Sequence, residues 1–128
     1  MKDSLAPTLD ESASALLTDL AQRGMLEDTL VVINAEFGRT PKINQNQGRD
    51  HWPFVYSLAL AGAGIQGGAV YGKSDKSAAY PTENPRDPAD MAATIYHLLG
   101  INPDTRIYDN RQRPHSLVIG SPIEELLA

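Results

Sequence analysis

The chain has 128 residues, 41% of them hydrophobic, which is typical of one globular domain and argues against disorder. Its 11 basic and 16 acidic residues give a formal net charge of -5, and because no basic run is long enough to follow a phosphate backbone, nucleic acid is not an expected partner. The sequence contains no cysteine, so disulfides and thiolate ligands are excluded and any metal must be bound by histidine and carboxylate side chains.

An amphipathic helix is predicted over residues 8–23, because apolar residues recur there at helical spacing. Gly24 follows, and glycine commonly ends a helix in this way. A strand is predicted next, at residues 30–35. Because its apolar residues are consecutive and no charge interrupts them, we expect this strand to be buried on both faces. Helix and strand together resemble one step of a layered α/β sheet.

The chain then enters a polar stretch at residues 38–53, which we expect to be a functional loop, because compact domains seldom contain long loops without a role. A second short strand is predicted at residues 56–61. The glycine-rich run at residues 62–68 lacks the signature of a nucleotide-binding loop, so we interpret it as a turn that lets backbones pass closely. Another loop is predicted at residues 72–86.

The second helix has the clearest boundaries in the sequence. Asp87 and Pro88 are an N-cap followed by proline at the first helical position, and Gly100 ends the helix. Its predicted inward-facing residues are Met91, Thr94, Ile95, Leu98 and Leu99. A weak strand at residues 117–119 and a short final helix from Pro122 complete the predicted elements.

Chemically capable residues surround the polar stretch at residues 38–53. Glu36 directly follows the first strand, and ligands in open α/β sheets bind just beyond the carboxyl ends of strands. Metal ions such as zinc accept histidine nitrogen and carboxylate oxygen together, so Glu36, Asp50 and His51 form a candidate partial metal site. By spacing alone an alternative stays open, in which Glu36 pairs with Arg39 or Arg49 to order the loop. In that alternative Asp50 only caps a turn.

The two other histidines are not expected to bind metal. His97 lies one position off the apolar stripe of the second helix, as expected of a residue on the helix surface. His115 follows Arg113 and Pro114 in a predicted loop, and no acid or imidazole lies close by in the sequence. Trp52, next to His51, is expected to pack and could form a wall of the site.

The layout of these elements predicts that residues 1–128 form a single partial domain. A strand buried on both faces needs neighbours on both edges, yet the sequence offers one other clear strand and two good helices. We therefore expect self-association or a missing amino-terminal part. No apolar stretch reaches the roughly 18 residues of a membrane span, and Met1-Lys2-Asp3-Ser4 lacks the apolar core of a signal peptide. No membrane attachment is expected.

Four motifs carry a resemblance to a known family. They are Glu-Phe-Gly-Arg-Thr-Pro at residues 36–41, Gly-Arg-Asp-His-Trp-Pro at residues 48–53, Leu-Ala-Gly-Ala-Gly-Ile at residues 60–65 and Gly-Gly-Ala-Val-Tyr-Gly at residues 67–72. The chain resembles the carboxyl-terminal part of the sulfatase-like proteins of the domain of unknown function 1501 family. That family is similar in turn to the alkaline phosphatase superfamily.

This resemblance implies an α/β fold, specifically the carboxyl-terminal part of an α/β/α sandwich of the alkaline phosphatase and sulfatase type. It implies hydrolysis of phosphate or sulfate esters with one or two divalent metal ions, namely zinc, calcium or magnesium. Glu36 occupies the position of a metal-binding aspartate and His51 that of a metal-binding histidine. Phe37 stands where phosphatases have a second ligand, and the nucleophile of the superfamily has no counterpart in this chain.

The expected function is therefore that of a segment of a metal-dependent ester hydrolase that contributes ligands and lacks the nucleophile. Asp50 is expected either to bind the metal or to orient His51. Arg39 and Arg49 are expected to bind the anionic ester, unless they pair with nearby acids. The alternative is a non-catalytic binding or assembly module on a sulfatase-like scaffold. Full-length relatives often carry export signals, which implies that the parent protein works outside the cytoplasm.

Overall fold

The structure, a computed structural model, describes residues 5–128 and is mixed α/β. Residues 1–4, where a signal peptide was sought in the sequence, lie outside the described residues. The described elements are α1 (Leu5–Gln22), β1 (Val31–Ile33), β2 (Gly38–Arg39), β3 (His51–Trp52), β4 (Ala59–Ala61), β5 (Lys73–Ser74), β6 (Pro81–Glu83), α2 (Pro88–Leu98), β7 (Arg106–Tyr108), β8 (Pro114–Ser116) and a 3₁₀ turn (Glu124–Leu126). No helix within residues 5–128 is long and apolar enough to cross a membrane.

The strands form four separate two-stranded antiparallel sheets, which pair β1 with β4, β2 with β3, β5 with β6, and β7 with β8. The last three pairs are hairpins. In the first pair, Val31 lies opposite Ala61 and Ile33 lies opposite Ala59. The α/β class is thus confirmed in its broad sense, while the layered sandwich stays a prediction.

The first strand differs from its prediction. The strand is three residues long, its first two residues are half-buried, and Ile33 is exposed. The expectation that residues 30–35 would be buried on both faces is therefore wrong for this structure. The physical reason is that, within residues 5–128, β4 pairs with one edge of β1 and no strand pairs with the other.

The bounds of the helices match their predictions closely, but Leu99 was wrongly predicted to face inward. It is 61% exposed because it is the C-cap beyond the end of α2, and Ala93 is buried beside Thr94 instead. α1 begins three residues before the predicted start, and Gly24 follows it with a φ of +67°. At α2, the backbone N–H of Asp87 donates to Oδ2 of Asp90 at 3.2 Å, and Gly100 has a φ of +71°. The apolar stripe of α1 is not covered, because Leu20 is its one buried residue in the described part of the chain.

The glycine-rich run does let backbones pass closely. Gly62 has a φ of +79°, and a β-carbon there would collide with the carbonyl oxygens of Leu26 and Thr29. Ala63 N–H donates to the Leu26 carbonyl oxygen at 3.0 Å. The turn therefore joins the end of β4 to the segment that precedes β1.

The predicted loops at residues 38–53 and 72–86 are each bounded by a pair of short strands, so each one is the loop of a hairpin. In these two hairpins and in the β7–β8 hairpin, one side-chain oxygen closes the loop. It accepts the N–H groups two and four residues further on, as in an extended Asx turn. The three acceptors and their distances are Asn44 to Asn46 and Gly48 (3.0 and 3.0 Å), Asp75 to Ser77 and Ala79 (3.1 and 2.8 Å), and Asp109 to Arg111 and Arg113 (2.8 and 2.9 Å).

Each of these turns places a non-glycine residue in the left-handed region, three positions after the acceptor. These residues are Gln47, Ala78 and Gln112, with φ values of 58°, 55° and 59°. The bound N–H groups also lower the pKa of two of the acceptors. The N–H of Ala79 contributes most at Asp75, and that of Arg113 contributes most at Asp109. The carboxylate form is therefore the one that holds each turn.

The carboxyl-terminal segment docks on α2 through polar contacts. Thr94 is fully buried, and its Oγ1 donates to the Asp90 carbonyl oxygen at 2.7 Å and accepts the N–H of Ile123 at 2.9 Å. The Asp90 carboxylate accepts the N–H of Ser121 at 3.0 Å, which is the main cause of its lowered pKa. The predicted strand at residues 117–119 is not formed, and the predicted final helix is a single 3₁₀ turn.

The described residues contain a small core. The buried side chains within residues 5–128 are Leu20, Ala79, Ala93, Thr94 and Ile123. Large apolar side chains remain open to solvent, among them Val70 and Ile119 with exposed fractions of 95% and 89%. A fold with so little buried apolar surface depends heavily on its hydrogen bonds.

We expect Ala78→Gly to raise the free energy of unfolding by roughly 0.5 kcal/mol, because the left-handed conformation costs an alanine about 1 kcal/mol or more, while glycine adds a smaller entropy cost. Ala69→Gly is the matched control, since Ala69 is an exposed loop residue without a positive φ. It should lower stability by about 0.4–1 kcal/mol. Denaturant unfolding of both variants measures these changes. If both substitutions changed the free energy of unfolding in the same direction, the strained turn at Ala78 would not be important for stability.

Candidate functional site

The candidate residues lie on or beside the hairpin formed by β2 and β3. Gly38 lies opposite Trp52 and Arg39 lies opposite His51. The Thr40 N–H donates to the Asp50 carbonyl oxygen at 3.0 Å, which extends the hairpin toward its loop. Gly38 is required by packing, because a β-carbon there would collide with the backbone carbonyl of Val55.

His51 stacks on Phe37. The ring centroids are 3.8 Å apart with an interplanar angle of 28°, and the Arg39 guanidinium carbon lies 5.6 Å from the centroid of the Phe37 ring. A histidine binds metal through nitrogen lone pairs in the plane of its ring, so stacking on the ring face leaves both nitrogens available. Within residues 5–128, neither of these nitrogens has a hydrogen-bond partner.

Asp50 is held away from His51. Its Oδ1 accepts a hydrogen bond from Nδ2 of Asn44 at 2.8 Å, and its N–H donates to Oγ1 of Thr40 at 3.1 Å. In this structure Asn44, and not His51, is the partner of the Asp50 carboxylate.

Glu36 lies in an exposed bend two residues before the start of β2. Its carboxylate forms no ion pair and no hydrogen bond with any residue in the described part of the chain. The sequence left open a salt bridge from Glu36 to Arg39 or Arg49, and neither pair is formed here. Glu36 is therefore an exposed carboxylate close in sequence to the Phe37–His51 stack.

The two arginines have different surroundings. One guanidinium nitrogen of Arg49 donates to the carbonyl oxygens of Thr40 and Pro41, both at 2.7 Å, so this side chain closes the hairpin loop. Nη1 of Arg39 makes one longer contact, of 3.3 Å, to the carbonyl oxygen of Arg49. Neither arginine pairs with an acid among residues 5–128. Arg39 keeps most of its donors for a ligand.

A wide groove of about 880 Å³ runs beside the hairpin. The side chains of Phe37, Arg39, Phe54, Tyr71 and Arg86 are among those that line it. Arg86 is engaged there, because it donates to the Tyr71 hydroxyl at 2.7 Å and pairs with Glu125 at 3.3 Å. The hydrogen bond to Tyr71 is the main cause of the raised pKa of Arg86. Lys73 and Arg86 of this wall each pair with a glutamate, whereas Arg39 has no carboxylate partner among residues 5–128.

The donor chemistry of Glu36 and His51 suits a divalent ion, but the number of donors is small. No group of three or more His, Asp or Glu residues able to hold a metal occurs within residues 5–128, whereas a zinc site usually has three or four protein ligands. Glu36 and His51 would therefore supply two of the ligands, and water or donors from outside the described residues would fill the other positions around the ion.

The remaining histidines lie away from this hairpin. His97 is exposed on α2, in agreement with its interpretation as a surface residue. His115 has no acid close by in the sequence, but in the fold its Nε2 lies 3.4 Å from Oδ2 of Asp109. The β7–β8 hairpin brings these two residues together although six positions separate them, which a reading by sequence proximity misses.

Sequence reasoning also missed the residues that support the site. Asn44 holds Asp50 and closes the β2–β3 loop. Ala79 accepts a hydrogen bond of 2.6 Å from the indole N–H of Trp52. The polar run that contains Asn44 predicts a loop, and the capacity of asparagine for an Asx turn is the sequence signal for this role. No local sequence pattern predicts the hydrogen bond from Trp52 to Ala79.

The fold and the site thus define a mixed α/β protein with an exposed histidine, carboxylate and arginine around one hairpin. Its sequence matches the model of the family described as "Protein of unknown function (DUF1501)" over residues 1–127. The chain belongs to this family, as its motifs indicated. Searches of curated proteins and of solved structures gave no match.

The geometry predicts a structural role for Arg49 that Arg39 does not share. Arg49→Ala should lower the free energy of unfolding by roughly 1 kcal/mol, because it removes both hydrogen bonds from Nη1 to the carbonyl oxygens of Thr40 and Pro41. Arg39→Ala is the matched control and should change stability by less than about 0.5 kcal/mol. Equal stability losses in thermal unfolding would contradict this distinction.

Proposed function

We propose that this chain contributes ligands to a metal-assisted hydrolase of phosphate or sulfate esters. One observation carries the proposal: Glu36 and His51, the two residues with the right chemistry at the family motifs, are exposed and have no polar partner among residues 5–128. Charged and polar side chains that serve only to order a loop usually find a partner, as Asp50 and Arg49 do here. Exposed side chains of this kind, without a protein partner among residues 5–128, are free to bind a ligand.

Each residue of the hairpin has a distinct part in the proposed site. His51 would bind the ion through a ring nitrogen while Phe37 fixes the ring orientation, and Glu36 would bind through its carboxylate. A divalent ion in such a site polarises a phosphoryl or sulfuryl oxygen. Arg39 would bind the other anionic oxygens, which a guanidinium matches well. Asp50 and Arg49 would hold the hairpin in shape.

The proposal includes the finer fold and the missing components. We place the chain in a sulfatase-like α/β/α sandwich of the alkaline phosphatase superfamily, of which it forms the carboxyl-terminal part. The uncovered stripe of α1 and the free edge of β1 support this placement, because both surfaces need cover. The nucleophile and the other ligands would come from an amino-terminal part or from a second copy.

A second candidate is a non-catalytic binding or assembly module on the same scaffold. Phe37 favours this candidate, because it stands at a position that holds a metal ligand in the resembled phosphatases. The exposed apolar side chains favour it as well, since large apolar surfaces often mark contacts between proteins. In this case His51 would order the hairpin through its stack on Phe37 and would not bind an ion.

Metal binding tests the proposal directly. The purified chain is dialysed in turn against zinc, calcium and magnesium, and bound metal is measured by plasma mass spectrometry. One of the three should bind stoichiometrically. His51→Ala and Glu36→Gln should each weaken binding by at least about 100-fold, because loss of a residue that merely supports a ligand already costs about 10–100-fold.

His97→Ala is the control, because this exposed histidine lies on α2 and should leave metal binding unchanged. Metal retained in full by His51→Ala would contradict the proposed ligand role. Sedimentation of the same samples separates the two candidates. A wild-type chain that self-associates without metal, and still does so as His51→Ala, would favour the assembly module.

A further inference from the structure

The sheet that carries His51 is too short to fix the orientation of this residue alone. It contains two residue pairs, Gly38 with Trp52 and Arg39 with His51. Isolated two-stranded hairpins are only marginally stable in water. A defined position for the imidazole therefore gains from an anchor outside the hairpin, in addition to the stack on Phe37.

Trp52, the residue after His51, provides such an anchor. Its indole N–H donates to the carbonyl oxygen of Ala79 at 2.6 Å, across 27 positions of sequence. Ala79 is buried. The Trp52 ring also meets the rings of Phe54 and Tyr80 edge-on, with centroid distances of 4.9 and 5.7 Å. Strand β3 is thus fastened to the hairpin formed by β5 and β6.

The carbonyl of Ala79 is itself placed by Asp75. Oδ1 of Asp75 accepts the N–H of Ala79 at 2.8 Å and both the N–H and the hydroxyl of Ser77, at 3.1 and 3.0 Å. These three bonds converge on one oxygen and fix the path of the chain between Asp75 and Ala79. A continuous set of contacts therefore leads from Asp75 through Ala79 and Trp52 to His51.

We infer that Trp52 and Asp75 are positioning residues for His51, and that the β5–β6 turn sets the orientation of the imidazole from outside the hairpin that carries it. The part of this inference that concerns metal affinity rests on the proposed function. The coupling between the two hairpins does not, because it follows from contacts that require no metal. Both parts can be measured separately.

The coupling is measured by NMR of the histidine ring protons in the metal-free chain. The Phe37 ring shields the His51 protons stacked upon it, so their resonances report whether the stack is formed. Trp52→Phe keeps an aromatic ring and removes the donor, and Asp75→Ala removes the acceptor of the turn. Both variants should move the His51 resonances toward those of an unstacked histidine such as His97.

Two further variants separate positioning from general loss of structure. Asp75→Asn should restore the wild-type His51 resonances, because Asn44 closes an equivalent turn with an amide oxygen. Asp109→Ala removes the acceptor of the same kind of turn in the β7–β8 hairpin, and it should leave His51 unchanged. Unmoved His51 resonances in Trp52→Phe and Asp75→Ala would overturn the inference, as would an equal shift in Asp109→Ala.

Metal titration of the same proteins completes the test. Trp52→Phe and Asp75→Ala should bind the ion about 10–100-fold more weakly than wild type, as is usual when a residue that orients a ligand is lost. A wild-type chain without metal but with the expected His51 shifts would mean that the proposed function fails while the coupling stands. If the wild-type chain bound metal stoichiometrically but the His51 resonances of Trp52→Phe and Asp75→Ala were unchanged, the proposed function would stand while the coupling would fail.

Discussion

Each of the three hairpins within residues 5–128 has its loop closed by one side-chain oxygen, which lies at the start of that loop. Asn44, Asp75 and Asp109 each accept the backbone N–H groups two and four residues further on. The strands they join are only two or three residues long, so their ladders alone would hold the hairpins weakly. The turns therefore decide the paths of the loops, and with them the positions of the side chains at the candidate site.

Polar contacts also hold the carboxyl-terminal segment in place. Thr94 and Asp90 bind the backbone of residues 121–123, in a molecule with a small apolar core among its described residues. A typical hydrogen bond contributes about 0.5–1.5 kcal/mol, so several of them acting together outweigh the loss of any one apolar contact here. The exposed apolar side chains, in contrast, do not contribute to stability while they face water. Burying them against further protein would stabilise the fold.

The helices could be predicted because their signals are local. Asp87 and Pro88 mark the start of α2, and Gly24 and Gly100 follow α1 and α2 with positive φ angles. The hairpins could not be predicted from the same kind of pattern, because their turns use non-glycine residues such as Ala78 in the left-handed region. The consecutive apolar residues of the first strand indicated burial, but they carry no information on whether a second neighbour is present.

The candidate site was predictable in its residues and not in its geometry. The motifs identified Glu36, Arg39 and His51, all of which are exposed on or beside the β2–β3 hairpin. The Asp50 carboxylate binds Asn44 and not His51, a contact that depends on the path of the loop between β2 and β3. The contacts of Arg49 could not be predicted from the sequence either. The loop that Asn44 closes brings its two carbonyl partners to it.

The decisive measurement is the location of a metal ion in crystals of this chain grown with saturating zinc, determined from anomalous diffraction at the zinc edge. We expect a peak in coordination contact with a ring nitrogen of His51 and the carboxylate of Glu36, with Asp50 still bound to Asn44. Zinc bound instead between Asp109 and His115, with none at the β2–β3 hairpin, would contradict the assignment of this hairpin as the metal-binding part of the site.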